Sequence, residues 1–229
     1  QLIATAATRP GRCLEIGAGR GTKTYVMMCQ AKRAGYEHQH TALDLHDRKC
    51  DQNLARLHKA GISGVRTVSG DACELNEVLT SFDAMLGEPA LFDTVFIDAP
   101  CSGTGTMRRH PEIPWRLTEN DVKTELPRLQ LTMLKEAAAR VAAGGELIYA
   151  TCSVFDEENT QVVDAFLTSS EGAGFTVAPL SEAQILQLPE YDHAKSLVTL
   201  RQNARGFFQS VPVNADSYDG HFCARLVHK

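Results

Sequence analysis

The chain is 229 residues long, 43% hydrophobic, and carries a formal net charge of −5 at pH 7. That length fits one substantial α/β domain or two small ones, and no run reaches the roughly 18 apolar residues of a membrane span. Seven cysteines without C-x-x-C or Cys/His ligand spacing argue against a disulfide framework or a zinc site, and the acidic balance is a poor footprint for nucleic acid.

Apolar runs alternate with helical patterns, the signature of a parallel sheet with crossover helices. "RCLEIG" (12–17) reads as a first strand, followed by a glycine turn and a helix from Thr22 to Ala34. "HTALD" (40–44) is a second strand, and His38 and His40 flank a turn, where exposure is expected. A helix containing "LARLHKAGI" stops at Gly61, and "VRTVSGD" (65–71) is a third strand. "DTVFID" (93–98) is a fourth strand, buried by pattern. Thr118 to Ala143 is helical, with Pro127 breaking that helix or starting a second one. Gly144-Gly145 end it, and "ELIYAT" (146–151) is the fifth strand. "DEENTQVVDAFL" gives another helix, with the Ser153-x-x-Asp156 spacing of an amino-terminal cap. "GFTVAPL" and "HFCARLV" (221–227) are late strands that need not run parallel to the rest, and residues 189–217 read as irregular.

Charge is unevenly spread. Residues 71–93 carry six acids and no Lys or Arg, which reads as an acidic solvated face. Arg108, Arg109 and Arg116 stand against Glu112 alone in 108–116, directly after "DAPCSGTGTM", and the first two are candidate phosphate contacts. Trp115 is expected to pin its loop against the core, with stacking on a base as the alternative. Arg201 and Arg205 beside Phe207 and Phe208 are a weaker candidate for a nucleic-acid-facing patch.

"EIGAGRGTK" (15–23) follows the first strand and opens the first helix. Its glycines, Gly17, Gly19 and Gly21, let the backbone turn sharply and approach a ligand, with Ala18, Arg20 and Thr22 between and after them. The spacing is G-x-G-x-G rather than the G-x-G-x-x-G of dinucleotide sites, and Glu15 would repel a pyrophosphate. A cationic, phosphate-free cofactor such as S-adenosylmethionine suits the turn better. Asp44, ending the second strand, is placed to accept from ribose hydroxyls, and Asp71, ending the third, to face an adenine amino group.

Ligands of open parallel sheets bind outside the carboxyl ends of the strands. Cys101 in "DAPCSGTG" and Cys152 in "YATCS" follow the fourth and fifth strands, which should be neighbours about 4.8 Å apart. Both thiols would then border the cofactor crevice, whereas Cys13, Cys29, Cys50, Cys73 and Cys223 read as packing residues. A thiol beside a methyl donor fits methylation of cytosine carbon 5: a thiolate adds to carbon 6, activates carbon 5, and is later expelled. A helix starting near Asp156 would lower the Cys152 pKa, while Asp156, Glu157 and Glu158 oppose that effect. The residues alone leave either cysteine as nucleophile.

"DAPCSGTG", "RRHPEIPWRLTENDV", "LQLTML" and "YATCSVFDEEN" together resemble the Sun/Fmu (RsmB-type, NOL/NOP/Sun) RNA cytosine-C5 methyltransferases, with a fainter echo in "DGHFCARL". The resemblance implies a Rossmann-like class I S-adenosylmethionine-dependent fold, with a mostly parallel seven-stranded sheet and helices on both faces. It implies Cys152 as nucleophile and Cys101 as the group assisting product release. Asp98 matches an acid bordering the cofactor amine and the target base, and Lys23 matches a lysine near the base. Asp44 and Asp71 match the ribose and adenine acids, and Lys49 sits where the family usually has an arginine. The family's first motif commonly reads Cys-Ala-Ala-Pro-Gly-Gly-Lys, so "GAGRGTK" departs from it while keeping the lysine. Members usually carry an upstream RNA-binding segment, and this chain opens on Gln1, almost at the first motif. The expectation is one catalytic domain, 1–229, that is a fragment lacking that segment. It is expected to act on RNA, ribosomal RNA foremost, in the cytoplasm, as a monomer without membrane or metal. An exocyclic-nitrogen methyltransferase is disfavoured because "DAPC" lacks the stacking aromatic of that chemistry. The glycine spacing and Glu15 disfavour a nicotinamide dehydrogenase, and a non-catalytic cofactor- or RNA-binding module is the third alternative.

Overall fold

In the computed structural model, which describes residues 1–212 and 218–229, buried runs become strands that feed two cores. Helix α1 (Leu2–Ala6) leads into β1 (Gly11–Ile16), α2 (Thr22–Arg33), β2 (His38–Asp44), α3 (Asp47–Lys59) and β3 (Val65–Ser69). Short helices α4 (Leu75–Val78) and α5 (Thr80–Leu86) precede β4 (Phe92–Asp98), α6 (Leu126–Ala138) and β5 (Val141–Thr151). Then come α7 (Thr160–Leu167), β6 (Phe175–Ala178), α8 (Asp192–Thr199), β7 (Phe208–Ser210) and β8 (His221–His228). The strand order is β3-β2-β1-β4-β5-β8-β6, with β7 also paired to β8. β1 to β5 run parallel, and β8 is antiparallel to β5, β6 and β7.

Successive strand side chains point to opposite faces, and here both faces are covered, which is why the strands read as continuous apolar runs. Leu14, Ile16, Val95, Ile97, Leu147 and Tyr149 pack with α6 and α7 residues such as Met133, Leu134 and Phe166. Cys13, Phe96, Ile148, Ala150 and Cys223 face the other core, with Ile3 of α1, Met27 of α2 and Val198 of α8. The arrangement is Rossmann-like, with helices on both sides.

The strand count is eight rather than the expected seven, because the edge beyond β8 is shared end to end. β6 pairs with its carboxyl half and β7 with its amino half. Three boundaries also move. Gly144-Gly145 do not close a helix: α6 ends at Ala138, and both glycines lie inside β5, near a register shift against β4. Pro127 neither breaks the helix nor starts a second one: the π-helical turn over Asp121–Glu125 runs directly into α6, and Pro127 sits inside the continuous helix. α7 begins at Thr160, not near Asp156, because the Ser153 hydroxyl bonds the Glu158 carboxylate at 2.6 Å instead of capping a helix.

His38 and His40 belong to β2, and His40 is fully buried because that strand pairs with β1 along its whole length. Phe207 and Phe208 are core residues, while Arg205 stays exposed and pairs with Asp164 at 3.0 Å, so the rings of that candidate patch do not lie on the surface. Arg201 stacks on Tyr218, 5.0 Å from the ring centre. Within the acidic stretch, Asp83 is not simply solvated: both its oxygens take the buried Arg140 guanidinium at 2.9 Å. Part of the segment read as irregular, 213–217, lies outside the described residues. The rest of it includes α8 and β7. No helix among the described residues is long and apolar enough to cross a membrane.

Candidate active site

The strand order reverses between β1 and β4, and there the carboxyl ends of β1, β2, β3, β4 and β5 open a cleft of about 480 Å³. Gly17, Gly19, Asp44, Lys49, Asp71, Asp98, Cys101 and Cys152 line it. Leu129 and Met133 of α6 close its far wall, which the sequence reading missed because they sit in an ordinary amphipathic helix.

Gly17 has φ +77°, and a Cβ there would lie 2.3 Å from the Asp98 carbonyl oxygen. Only glycine lets this turn approach the end of β4 so closely. The Asp44 carboxylate steadies the same turn: Oδ2 accepts from the Gly19 amide at 2.9 Å and Oδ1 from the His46 amide at 3.1 Å. Lys49 Nζ stands 3.4 Å from Asp44 Oδ1. Asp71 caps the next turn, accepting from the Cys73 amide at 2.8 Å, and remains exposed at the cleft rim.

Six expected cofactor residues, Glu15, Ala18, Arg20, Gly21, Thr22 and Lys23, do not line this cleft. Glu15 is fully buried: period two puts it on the same face as Cys13, under α2, where its Oε2 takes the Thr24 hydroxyl at 2.6 Å and His40 Nε2 at 2.9 Å. Gly21 is the left-handed residue before α2, and a Cβ there would meet Asn53 Oδ1 at 1.9 Å. Thr22 takes the Arg56 guanidinium at 2.6 Å, and Ala18 is buried. Arg20 is exposed, and its carbonyl accepts from Arg56 at 3.4 Å.

Cys101 and Cys152 meet across the β4–β5 pair, their sulfurs 3.3 Å apart. The Cys101 S–H hydrogen bond holds the Cys152 thiol below its ordinary value, with Lys23 assisting, against burial and the Asp98 carboxylate, which push it up. The same hydrogen bond, with burial and the neighbouring negative charge, pushes Cys101 far above the ordinary thiol range. The two thiols are thus pushed in opposite directions, Cys152 down and Cys101 up. Lys23 forms an ion pair with Asp98 beside them. Burial raises the Asp98 carboxyl, and Lys23 opposes the shift.

Glu158, read from sequence as a charge opposing Cys152 activation, is fully buried and ties both cysteine loops together. Its carboxylate accepts from the Ser102 amide at 2.8 Å, Gln130 Nε2 at 3.0 Å and the Ser153 hydroxyl at 2.6 Å. The amide of Gly105 donates to the Cys152 carbonyl at 2.8 Å, and that of Gly220 donates to the Gly105 carbonyl at 2.8 Å. This clasp places "DGHFCARL" against the first cysteine loop. Asp219 draws in both candidate phosphate contacts, Arg109 at 2.6 Å and Arg108 at 3.5 Å.

A second groove, of about 790 Å³, meets the cleft at Cys101 and Leu129 and is lined by Arg116, Leu117, Asp121, Glu125 and Arg128. Trp115 beside it is 89% exposed, so it does not pin the loop; buried Ile113 of the same turn does that.

The family model for 16S rRNA methyltransferase RsmB/F matches residues 4–226. Ribosomal RNA small subunit methyltransferase B of Salmonella arizonae is 31% identical over 216 residues, covering 94% of this chain and 42% of the relative. The solved structure of PH0851 superposes with a TM-score of 0.76 at 27% identity, over 99% of this chain and 45% of that one. NSun6 from Pyrococcus horikoshii gives a TM-score of 0.73 at 18% identity, over 99% and 51%, a likeness of fold. The chain therefore spans about two fifths of the length of the curated relative. Its fold is that of the class I methyltransferases, and the match along nearly the whole sequence shows that the chain belongs to the 16S rRNA methyltransferase RsmB/F family.

Proposed function

We propose that this chain transfers a methyl group from S-adenosylmethionine to carbon 5 of cytosine in RNA, with ribosomal RNA as substrate, through a covalent bond from Cys152. The observation that carries the reading is the pair of thiols 3.3 Å apart at the cleft, one lowered and one raised in pKa. The cleft suits a cofactor with a sulfonium centre and ribose hydroxyls, since Asp44, Asp71 and Asp98 line it, even though Lys49 and Lys23 offset the charge of Asp44 and Asp98. When bound there, S-adenosylmethionine supplies an electrophilic methyl group.

The Cys152 thiolate adds to carbon 6, and the electron pair displaced from the C5–C6 double bond lets carbon 5 take the methyl group. The methyl–sulfur bond breaks with its electron pair going to the sulfur of S-adenosylhomocysteine. The carbon-5 proton then passes to a solvent base, that C–H pair closes the double bond, and Cys152 departs as a thiolate that accepts the Cys101 S–H hydrogen bond. Cys101 assists that last step. In the free protein it holds a proton on the leaving sulfur's side, and it is the group nearest to Cys152. Asp98, paired with Lys23 at the cleft, would hold the cofactor amine beside the target base. The chemistry needs both thiols reduced, as they are here, which suits a cytoplasmic site of action.

Denaturing gels after incubation with cofactor and substrate RNA test the assignment. Cys101→Ala should attack, transfer methyl and stall as a slow-migrating RNA adduct, whereas Cys152→Ala should give no adduct and no product. The reverse pattern would assign the attack to Cys101. Two active variants without adduct would remove covalent catalysis altogether.

A further inference from the structure

We propose that Cys13, His38 and His40 form a zinc-class divalent cation site at the amino-terminal end of the sheet, away from the cleft. The parallel register pairs Cys13 with His40 and Gly11 with His38. Alternation along each strand then puts Cys13 and Glu15 of β1 and His38 and His40 of β2 on one face. One donor atom from each of Cys13, His38 and His40 lies within 4.8 Å of the others, and Cys13 and His40 are buried. Sequence spacing hides this set, because sheet pairing rather than chain proximity brings Cys13 to His40.

The outer hydrogen bonds fix which nitrogens carry protons. His38 Nδ1 lies 2.8 Å from the Arg9 carbonyl oxygen, which can only accept, so Nδ1 donates. His40 Nε2 lies 2.9 Å from Glu15 Oε2, so it too donates to an acceptor. In neutral rings the remaining nitrogens, His38 Nε2 and His40 Nδ1, both present lone pairs, yet they face each other at 3.0 Å. A cation must lie between them: a shared proton or a metal ion.

Two features favour the metal. The Cys13 sulfur adds a third, softer donor at the same point, which a shared proton does not need. Carbonyl and carboxylate partners on the far nitrogens are the outer shell that orients metal-bound histidines. Charge balance is met either way, by a divalent ion with the Cys13 thiolate and Glu15 carboxylate or by a proton with the carboxylate alone. Zinc takes His nitrogen at about 2.0–2.1 Å, which at a tetrahedral angle sets two such nitrogens about 3.3 Å apart, so the observed gap needs only a small opening. The ion would pin β1 to β2 just ahead of the glycine turn.

The test uses the chain carrying Cys101→Ser and Cys152→Ser, which removes the other close thiol pair. Loaded with Zn²⁺ under reductant and desalted, it should retain about one zinc per chain by elemental analysis, with three protein donors and one position left open. Co²⁺ in its place should show the near-ultraviolet thiolate-to-cobalt band. Adding Cys13→Ser should abolish the band, and adding His38→Ala should weaken metal retention at least tenfold. Should either variant fail to fold, the cobalt band and a zinc-induced rise in melting temperature decide on the parent chain alone. No retained zinc and no band there would mean that a proton fills the gap. Equal retention by folded Cys13→Ser and His38→Ala would equally overturn the site.

Discussion

The sulfurs of Cys101 and Cys152 lie 3.3 Å apart, and the Cys101 sulfur also accepts the Cys152 backbone N–H at 3.3 Å. One residue thereby serves as S–H donor to its neighbour's thiol and as acceptor from its neighbour's amide. The Cys152 side chain is left as the better anion, since its charge is stabilised by a donated hydrogen bond and by Lys23.

This asymmetry predicts a pH profile. A lowered pKa means that the Cys152 thiolate survives at pH values where an ordinary thiol, near pKa 8.5, is almost wholly protonated. Alkylation of Cys152 by iodoacetamide, followed by mass spectrometry, should therefore keep its rate to lower pH than a free thiol. Cys101→Ala deletes the S–H donor, so the inflection should move to higher pH. An unmoved inflection in that variant would show that Cys101 does not set the Cys152 charge.

Asp44 joins the glycine turn to the cleft, so its loss should be felt in cofactor binding. Asp44→Ala is expected to weaken S-adenosylhomocysteine binding by about 1–3 kcal/mol, the usual effect of removing hydrogen bonds to a charged group. Calorimetry on a variant with an unchanged circular dichroism spectrum provides the measurement. Full affinity in such a protein would exclude Asp44 from the cofactor site.

Glu158 is a stability prediction. Its fully buried carboxylate satisfies three donors, and Glu158→Ala leaves the Ser102 amide, Gln130 and Ser153 without it. Gln130 keeps the Pro100 carbonyl, and Ser153 keeps the Ser102 and Thr104 hydroxyls. The Ser102 amide is therefore the donor chiefly orphaned, and a loss of about 1–3 kcal/mol is expected by urea unfolding. Glu158→Gln keeps acceptor capacity and should lose less. A loss below about 1 kcal/mol for the alanine variant would mean that water replaces the carboxylate easily.

The parallel half of the sheet was legible because "TVFI" and "LIYA" alternate between two cores, which makes both strands apolar throughout. The two cysteines were legible because loops that follow parallel strands border the ligand crevice. Glu158 was not, since a buried carboxylate in a turn carries no periodicity, and "DEEN" reads equally well as a helix start. His40 was misread because the strand was expected to begin at residue 40, whereas β2 extends back to His38. Glu15 was placed near the ligand by its proximity to the glycine turn, but strand alternation turned its side chain under α2. In each case pairing with a distant segment, rather than the local spacing, decided the environment.

Trp115 permits a test of the substrate face without touching the cysteines. It is the single tryptophan of the chain and is 89% exposed, while Ile113 in the same turn is buried. Trp115→Ala should therefore change unfolding free energy by no more than about 0.5 kcal/mol, as surface substitutions do. Its chain neighbours Arg116 and Leu117 line the groove that reaches Cys101, where an unstacked base on its way to the cleft would pass. Stacking on a base is worth about 1–3 kcal/mol, so Trp115→Ala should weaken RNA binding by a comparable amount. Because no other tryptophan contributes emission, substrate RNA should also quench the fluorescence of the unmodified chain. Unchanged emission on saturation with RNA, together with unchanged affinity in the variant, would leave Trp115 in solvent and place the stacking contact elsewhere along the groove.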